Sequence, residues 1–238
     1  MINVTVWNEF IHENIDESVK KIYPEGLHKA IGEFLGTNDD ISVTYATLDM
    51  DECGLGEDVV NNTDVLIWWG HMAHDKVPDS IVDRVYDAVM KGMGLVVLHS
   101  GHNSKIFRKV IGAPCNLRWR DDDRERVWVV NPAHPIAQGI PEYFELENEE
   151  MYGEPFSIAN PDEVIFMGWF AGGEVFRSGC TFTRGCGKIF YFQPGHEGYG
   201  NFYNKYVQRI ITNAVRWANP IRKFENIDCV WAKDKPEA

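Results

Sequence analysis

Short runs of β-branched and aromatic residues alternate with amphipathic stretches from the start of the chain. Residues 2–7 read as a strand, 16–35 as helical and 41–48 as a second strand. Gly36, Thr37 and Asn38 fall where the helix would end. Tyr23-Pro24-Glu25-Gly26 interrupts it, because proline removes a backbone donor, so two short helices or one kinked helix are expected. Strands at 64–70 (DVLIWWG) and 94–99 (GLVVLH) follow, separated by a helix over 78–91, with another helix at 104–110. Both strands are apolar without alternation, as in parallel strands buried on both faces. The expectation is an α/β protein with a doubly wound, mainly parallel sheet and helices on both faces.

Beyond residue 113 the pattern changes to short strands at 126–130, 164–170, 174–182 and 188–193, separated by Gly, Pro and Asn turns, which predicts an antiparallel C-terminal extension. A helix over 204–217 carries Tyr206, Val207, Ile210, Ile211, Ala214 and Trp217 at helical spacing and would close a layer. The polar residues after Pro220 read as a loosely attached tail. With no repeat or linker in view, the chain divides into one domain over 1–220 and a tail over 221–238.

Charge narrows the partners. The 238 residues carry 23 basic and 36 acidic side chains, a formal net charge of −13, and no basic run offsets it. Such a field repels phosphate backbones and anionic bilayers, so neither nucleic acid nor membrane is an expected partner. No apolar stretch reaches the roughly 20 residues of a membrane helix, and the N-terminus lacks a basic segment before an apolar run. Five scattered cysteines without a CxxC pair fit reduced thiols and a cytoplasmic protein. Cys180 and Cys186, on either side of an expected turn, read as neighbours in a hairpin. The aromatic content is compatible with a homo-oligomer.

Ligands of open parallel sheets bind beyond the carboxyl ends of the strands. There the chain places Asn8-Glu9-Phe10-Ile11-His12, His71-Met72-Ala73-His74-Asp75, His99-Ser100-Gly101-His102-Asn103 and Pro194-Gly195-His196-Glu197, so six of the eight histidines fall at strand ends. Imidazole is both a metal ligand and an acid or base, which points to one shared site. The HxxH pairs offer His71, His74 and His102 to a divalent metal such as zinc, although the HExxH pattern of zincins is missing. Ser100 sits on a strand-to-turn transition like a nucleophile elbow, but Leu98 stands where GxSxG has glycine, and Gly101 reads as a tight turn with positive φ. In the acidic run 147–154, Glu147 and Glu149 read as solvated, whereas Glu150 and Tyr152 could point one way from an extended segment into a pocket. Trp68 and Trp69 read as core; Trp7 could be core or a sugar platform.

The segments VWNEF, WWGHMAHDKV, GMGLVVLHSGHNSKIF, NPAHPIAQGIPEYFELENEEMYGEP, FRSGCTFTRGCGKIFYFQPGHE and NAVRWANP together resemble the ThuA-like, trehalose-utilisation family, over residues 2–219. The resemblance implies a flavodoxin-like fold similar to class I glutamine amidotransferases, and a role in using trehalose or related disaccharides beside dehydrogenases that make 3-keto sugars. His99-Ser100-Gly101-His102 resembles the CxGH elbow of amidotransferases, and His196-Glu197 their later catalytic histidine and acid. With imidazole in the nucleophile's place, glutamine hydrolysis is not expected. The resulting expectation is a sugar-metabolism enzyme with His99, His196 and Glu150 as catalytic groups, Trp7, Glu9, Ser100 and Tyr152 against a small sugar substrate, and no nucleotide cofactor. The alternative is a sugar-binding or regulatory protein without turnover.

Overall fold

The computed structural model describes residues 1–229 and 231–235. Strand β1 (Ile2–Asn8) is followed by three helices, α1 (His12–Ile15), α2 (Glu17–Ile22) and α3 (Leu27–Gly36), and then by β2 (Ile41–Thr47). The break between α2 and α3 is the one expected at Tyr23 to Gly26. Asp16 caps α2 by accepting the Ser18 N–H. A helix that periodicity did not reveal, α4 (Glu57–Asn62), precedes β3 (Val65–Trp69), α5 (Asp79–Met90), β4 (Gly94–Leu98) and α6 (Lys105–Ile111). The chain then forms β5 (Arg118–Val129), β6 (Tyr143–Gly153), β7 (Glu163–Phe170), β8 (Val175–Arg184), β9 (Gly187–Phe192) and α7 (Lys205–Ala218).

Among the described residues, nine strands join one sheet in the order β2-β1-β3-β4-β9-β8-β7-β5-β6. β2, β1, β3, β4 and β9 run parallel, with Val65 opposite Gly94 in the β3–β4 pair. β8, β7, β5 and β6 extend the sheet in antiparallel pairs. The extension is therefore built from the middle of the chain, and the last strand, β9, returns to the parallel half.

The unbroken apolar runs of β3 and β4 serve two cores. Val65, Ile67, Trp69, Val96 and Leu98 pack with α3 and α7, while Leu66, Trp68, Leu95 and Val97 pack with α5 and α6 on the other face. Successive side chains of a strand alternate between faces, so only a sheet covered on both sides needs both sets apolar.

Several expectations are revised. The acidic run 147–154, up to Gly153, is the second half of edge strand β6, not a solvated loop, and Glu149 is fully buried while Glu147 is exposed. Gly101 does not have positive φ; His99 does, at +49°. Glycine is required at 101 by space, since a Cβ there would stand 2.8 Å from Val97 Cγ1. Cys180 lies opposite Tyr191 rather than Cys186, and all five cysteines are free. The tail is docked in part: Phe224 N–H donates to Lys91 O, and Lys223 Nζ reaches Asn61 O and Thr63 O.

Candidate functional site

The sheet order reverses direction beside β1, and the carboxyl ends of β3, β4 and β9 open onto one cavity of about 480 Å³. His71, His74, Ser100, His102, Glu150, Tyr152 and His196 line it, bringing together residues spread over half the chain, whereas His99, expected to be catalytic, does not line it. Its volume lies in the range of small-molecule sites.

Two buried glutamates fix the loops that carry the histidines. Glu9, after β1, accepts the backbone N–H groups of His71, Met72 and Ala73, each at 2.9 Å. Glu149, on β6, accepts from Gly195 N–H at 2.7 Å, Asn201 Nδ2 at 2.9 Å, Glu150 N–H at 2.8 Å and His196 N–H at 3.3 Å. Burial alone would make either carboxyl costly, and these donors compensate it. Glu9 is thus a positioning residue for the β3 loop rather than a substrate contact, and Glu149 does the same for the β9 loop.

At the cavity floor, Glu150 Oε2 lies 2.9 Å from His99 Nε2, yet it has no well-aligned hydrogen bond. The contact is one of charge, Oε2 itself is buried against His99, and the carboxyl group meets the cavity through its remaining surface. His99 Nδ1–H donates to Gln193 O at 2.8 Å, Nε2 lies 3.3 Å from the Tyr152 hydroxyl, and its ring stacks on Tyr152. Burial pushes the His99 pKa down, but Glu150, Glu149 and Glu197 outweigh it and raise it to about 9. Glu150, in spite of its own burial, is held below the usual carboxylate value by His99. Because His99 has no exposed surface, it sits behind Glu150 and does not itself meet the cavity.

His102, His196 and His74 are shifted the opposite way. Burial lowers His102 to about 4, and burial with the His99 charge lowers His196 to about 4; burial also lowers His74. His102 Nδ1–H donates to Cys115 O, which leaves Nε2 free. His196 Nδ1 accepts the Gly198 N–H at 2.9 Å, so its proton is on Nε2.

Three expected contacts are corrected. Trp7 is 1% exposed, stacks on Trp68 at 3.9 Å and donates its Nε1–H to Cys53 O, so it belongs to the core. Ser100 lines the cavity, but its hydroxyl donates to Gly70 O at 2.9 Å and is not activated as a nucleophile. The expected metal trio does not assemble: the groupings of possible ligand atoms among the described residues are His12, His71 and Glu197, and His99, Glu150 and His196, with neither His74 nor His102. Sequence reading also missed Trp119, 63% exposed at the cavity rim, and the lining residues Asn116 and Asp121. A lone exposed tryptophan in an acidic and basic strand, RWRDDDRERVWV, carries no periodic signal.

A doubly wound α/β protein with a histidine and carboxylate cavity at the carboxyl edge of its sheet is the class that fold and site define. The chain belongs to the ThuA, or trehalose utilisation, family, whose sequence model matches residues 3–218. Among solved structures it is similar to a ThuA-like protein of Parabacteroides merdae, with a TM-score of 0.66, 14% identity, and 94% of this chain and 92% of that one covered. A cytoplasmic protein of Salmonella typhimurium gives a TM-score of 0.62 at 12% identity over 92% and 100% of the two chains. A cold-adapted β-galactosidase of Rahnella gives 0.59 at 12% identity, over 92% of this chain but 32% of that one. No curated protein matches the chain. Among the described residues, no helix is long and apolar enough to cross a membrane.

Proposed function

We propose that the protein is an enzyme of sugar metabolism that isomerises a 3-keto derivative of a trehalose-type disaccharide by moving a proton beside the keto group. The observation that carries this reading is the pairing of a charged carboxylate, held against His99 at the cavity floor, with an aromatic, amide-rich rim. Glu150 lines the cavity and is held ionised by His99, as a carboxylate base requires. The exposed indole of Trp119 offers a flat apolar face to a sugar ring, and Asn103, Asn116 and Asp121 offer donors and acceptors to its hydroxyls.

In the proposed reaction, the Glu150 carboxylate takes the proton from the carbon next to the ketone. The electron pair moves to the carbonyl oxygen, which takes the Nε2 proton of His196. The resulting enediol returns a proton from its second hydroxyl to His196 and receives the one held by Glu150 at the former carbonyl carbon. The net change is a shift of the carbonyl, with atoms and charge conserved. His99 acts through Glu150 as a positioning residue.

The test is exchange of substrate hydrogen with deuterium oxide and turnover of 3-ketotrehalose. Wild-type protein should catalyse both, and Glu150→Gln should lose roughly 100- to 10,000-fold in kcat, the usual worth of a positioned base. Unchanged rates in Glu150→Gln would refute the assignment of the base, and binding without exchange or turnover would favour a sugar-binding protein.

A further inference from the structure

A second cluster lies beside the Glu150 floor, and the proposed reaction does not use it. His12, which begins α1, and His71, in the loop after β3, both turn toward Glu197, in the loop after β9. His12 Nε2 is 3.2 Å and His71 Nδ1 3.1 Å from Glu197 Oε1, and the two nitrogens are 3.3 Å apart. In a tetrahedral centre with bonds of about 2.0–2.1 Å, neighbouring ligand atoms stand roughly 3.3–3.4 Å apart. The three separations are thus close to the edges of one face of such a tetrahedron.

Hydrogen bonding among the three does not account for this geometry. If both imidazoles donate to Glu197 Oε1, two N–H groups face one another at 3.3 Å without a bond. If one imidazole accepts from the other, the single N–H between them is spent and the accepting nitrogen turns a lone pair to the carboxylate. Glu197 Oε2 has no partner and its side chain is 6% exposed, so the carboxylate is sequestered with unused acceptor capacity. A cation between the three atoms uses all three lone pairs at once.

The neighbouring His99, Glu150 and His196 do not offer the same set. The Gly198 N–H occupies His196 Nδ1 and places a proton on Nε2, and His99 uses Nδ1–H on Gln193 O. No backbone group bonds to His12 Nε2 or His71 Nδ1 among the described residues.

We infer that His12 Nε2, His71 Nδ1 and Glu197 Oε1 form a binding site for one divalent cation of the zinc type. Two imidazoles and one carboxylate form the ligand set of catalytic rather than structural zinc, in which a water or substrate oxygen completes the coordination. The open position is reached through His71, which is about one-third exposed and borders the cavity. Bound there, the ion would present a Lewis acid to an oxygen of the molecule in the cavity. This inference goes beyond the proposed isomerisation and stands without it, because ion binding is read with no sugar present.

The experiment uses the full chain without a histidine tag, stripped by a chelator and titrated with zinc against a chromophoric competitor. Cobalt is titrated in parallel for the visible absorption of a tetrahedral centre. One equivalent of zinc per chain is expected, with a tetrahedral cobalt spectrum. His71→Asn, at the exposed member of the set, and Glu197→Gln should each weaken zinc by at least the roughly 10- to 100-fold typical of losing an outer partner, and should abolish the cobalt band. His74→Gln and His102→Gln should leave both unchanged. Circular dichroism of each stripped variant separates loss of ligand from loss of fold, and His71→Asn remains decisive if Glu197→Gln fails to fold. Wild-type protein that takes up no stoichiometric zinc or cobalt would overturn the inference, as would uptake that folded His71→Asn leaves undiminished. Sugar turnover persisting in stripped protein would leave the site in place and remove it from the reaction.

Discussion

At the scale of single residues, His99 combines full burial with a raised pKa, two tendencies that normally oppose one another. Its pKa of about 9 is above the ordinary 6.5 because the neighbouring carboxylates outweigh desolvation. The proton is therefore held more tightly in the folded state, and the stability this supplies is complete below pH 6.5 and is lost as the pH rises through about 9. Removing the Glu150 charge should return the value toward or below 6.5. An NMR titration of the His99 ring in wild type and Glu150→Gln measures this, and an unmoved titration would show that Glu150 is not its partner. Trp119 differs in being exposed. Trp119→Ala should leave the unfolding temperature unchanged, while loss of about 1.5 kcal/mol of apolar contact weakens sugar binding roughly tenfold by calorimetry.

At the scale of elements, the site is assembled by loops that carboxylates hold in place. Glu9 joins the end of β1 to the β3 loop, and Glu149 joins β6 to the β9 loop. An amide in either place turns one acceptor into a donor facing a backbone N–H. Glu9→Gln and Glu149→Gln should each cost about 2–3 kcal/mol in urea unfolding, and should speed hydrogen exchange at 71–73 and at 195–196 respectively. Equal exchange at both loops in both variants would indicate general loosening instead. The parallel strands β3 and β4 were legible because a short unbroken apolar run between turn residues fits little besides a strand covered on both faces. The β6 strand was not, since its buried residues include Glu149 and Glu150, and a buried carboxylate is written in the same letters as a solvated one. The histidines at the strand ends were legible as a set. Their partition was not, because His12 pairs with His71 and Glu197 only once α1 folds back over the β3 loop.

At the scale of the whole molecule, pH acts on the two cores differently from the site. His28, on α3, is buried, accepts Asn8 Nδ2–H at Nδ1 and is pushed by burial to about 4. Its folded-state value is below the ordinary 6.5, so its neutral form contributes stability above pH 6.5 that declines as the pH falls toward 4. The full shift corresponds to on the order of 3 kcal/mol. Equilibrium unfolding at about pH 7 and about pH 4.5, on either side of most of that change, should show a smaller difference for His28→Gln than for wild type, and an unchanged difference would place the acid sensitivity elsewhere.

The row of amides at 71–73 is also an anion cradle of the kind that receives phosphate in many doubly wound proteins. Here the chain fills it with its own Glu9. A phosphorylated sugar entering from the metabolite pool would have to displace a tethered carboxylate and approach Glu150 and Asp121 in a molecule of net charge −13. A built-in occupant of this kind discriminates by exclusion, and a phosphorylated ligand should bind more weakly than its unphosphorylated form by calorimetry.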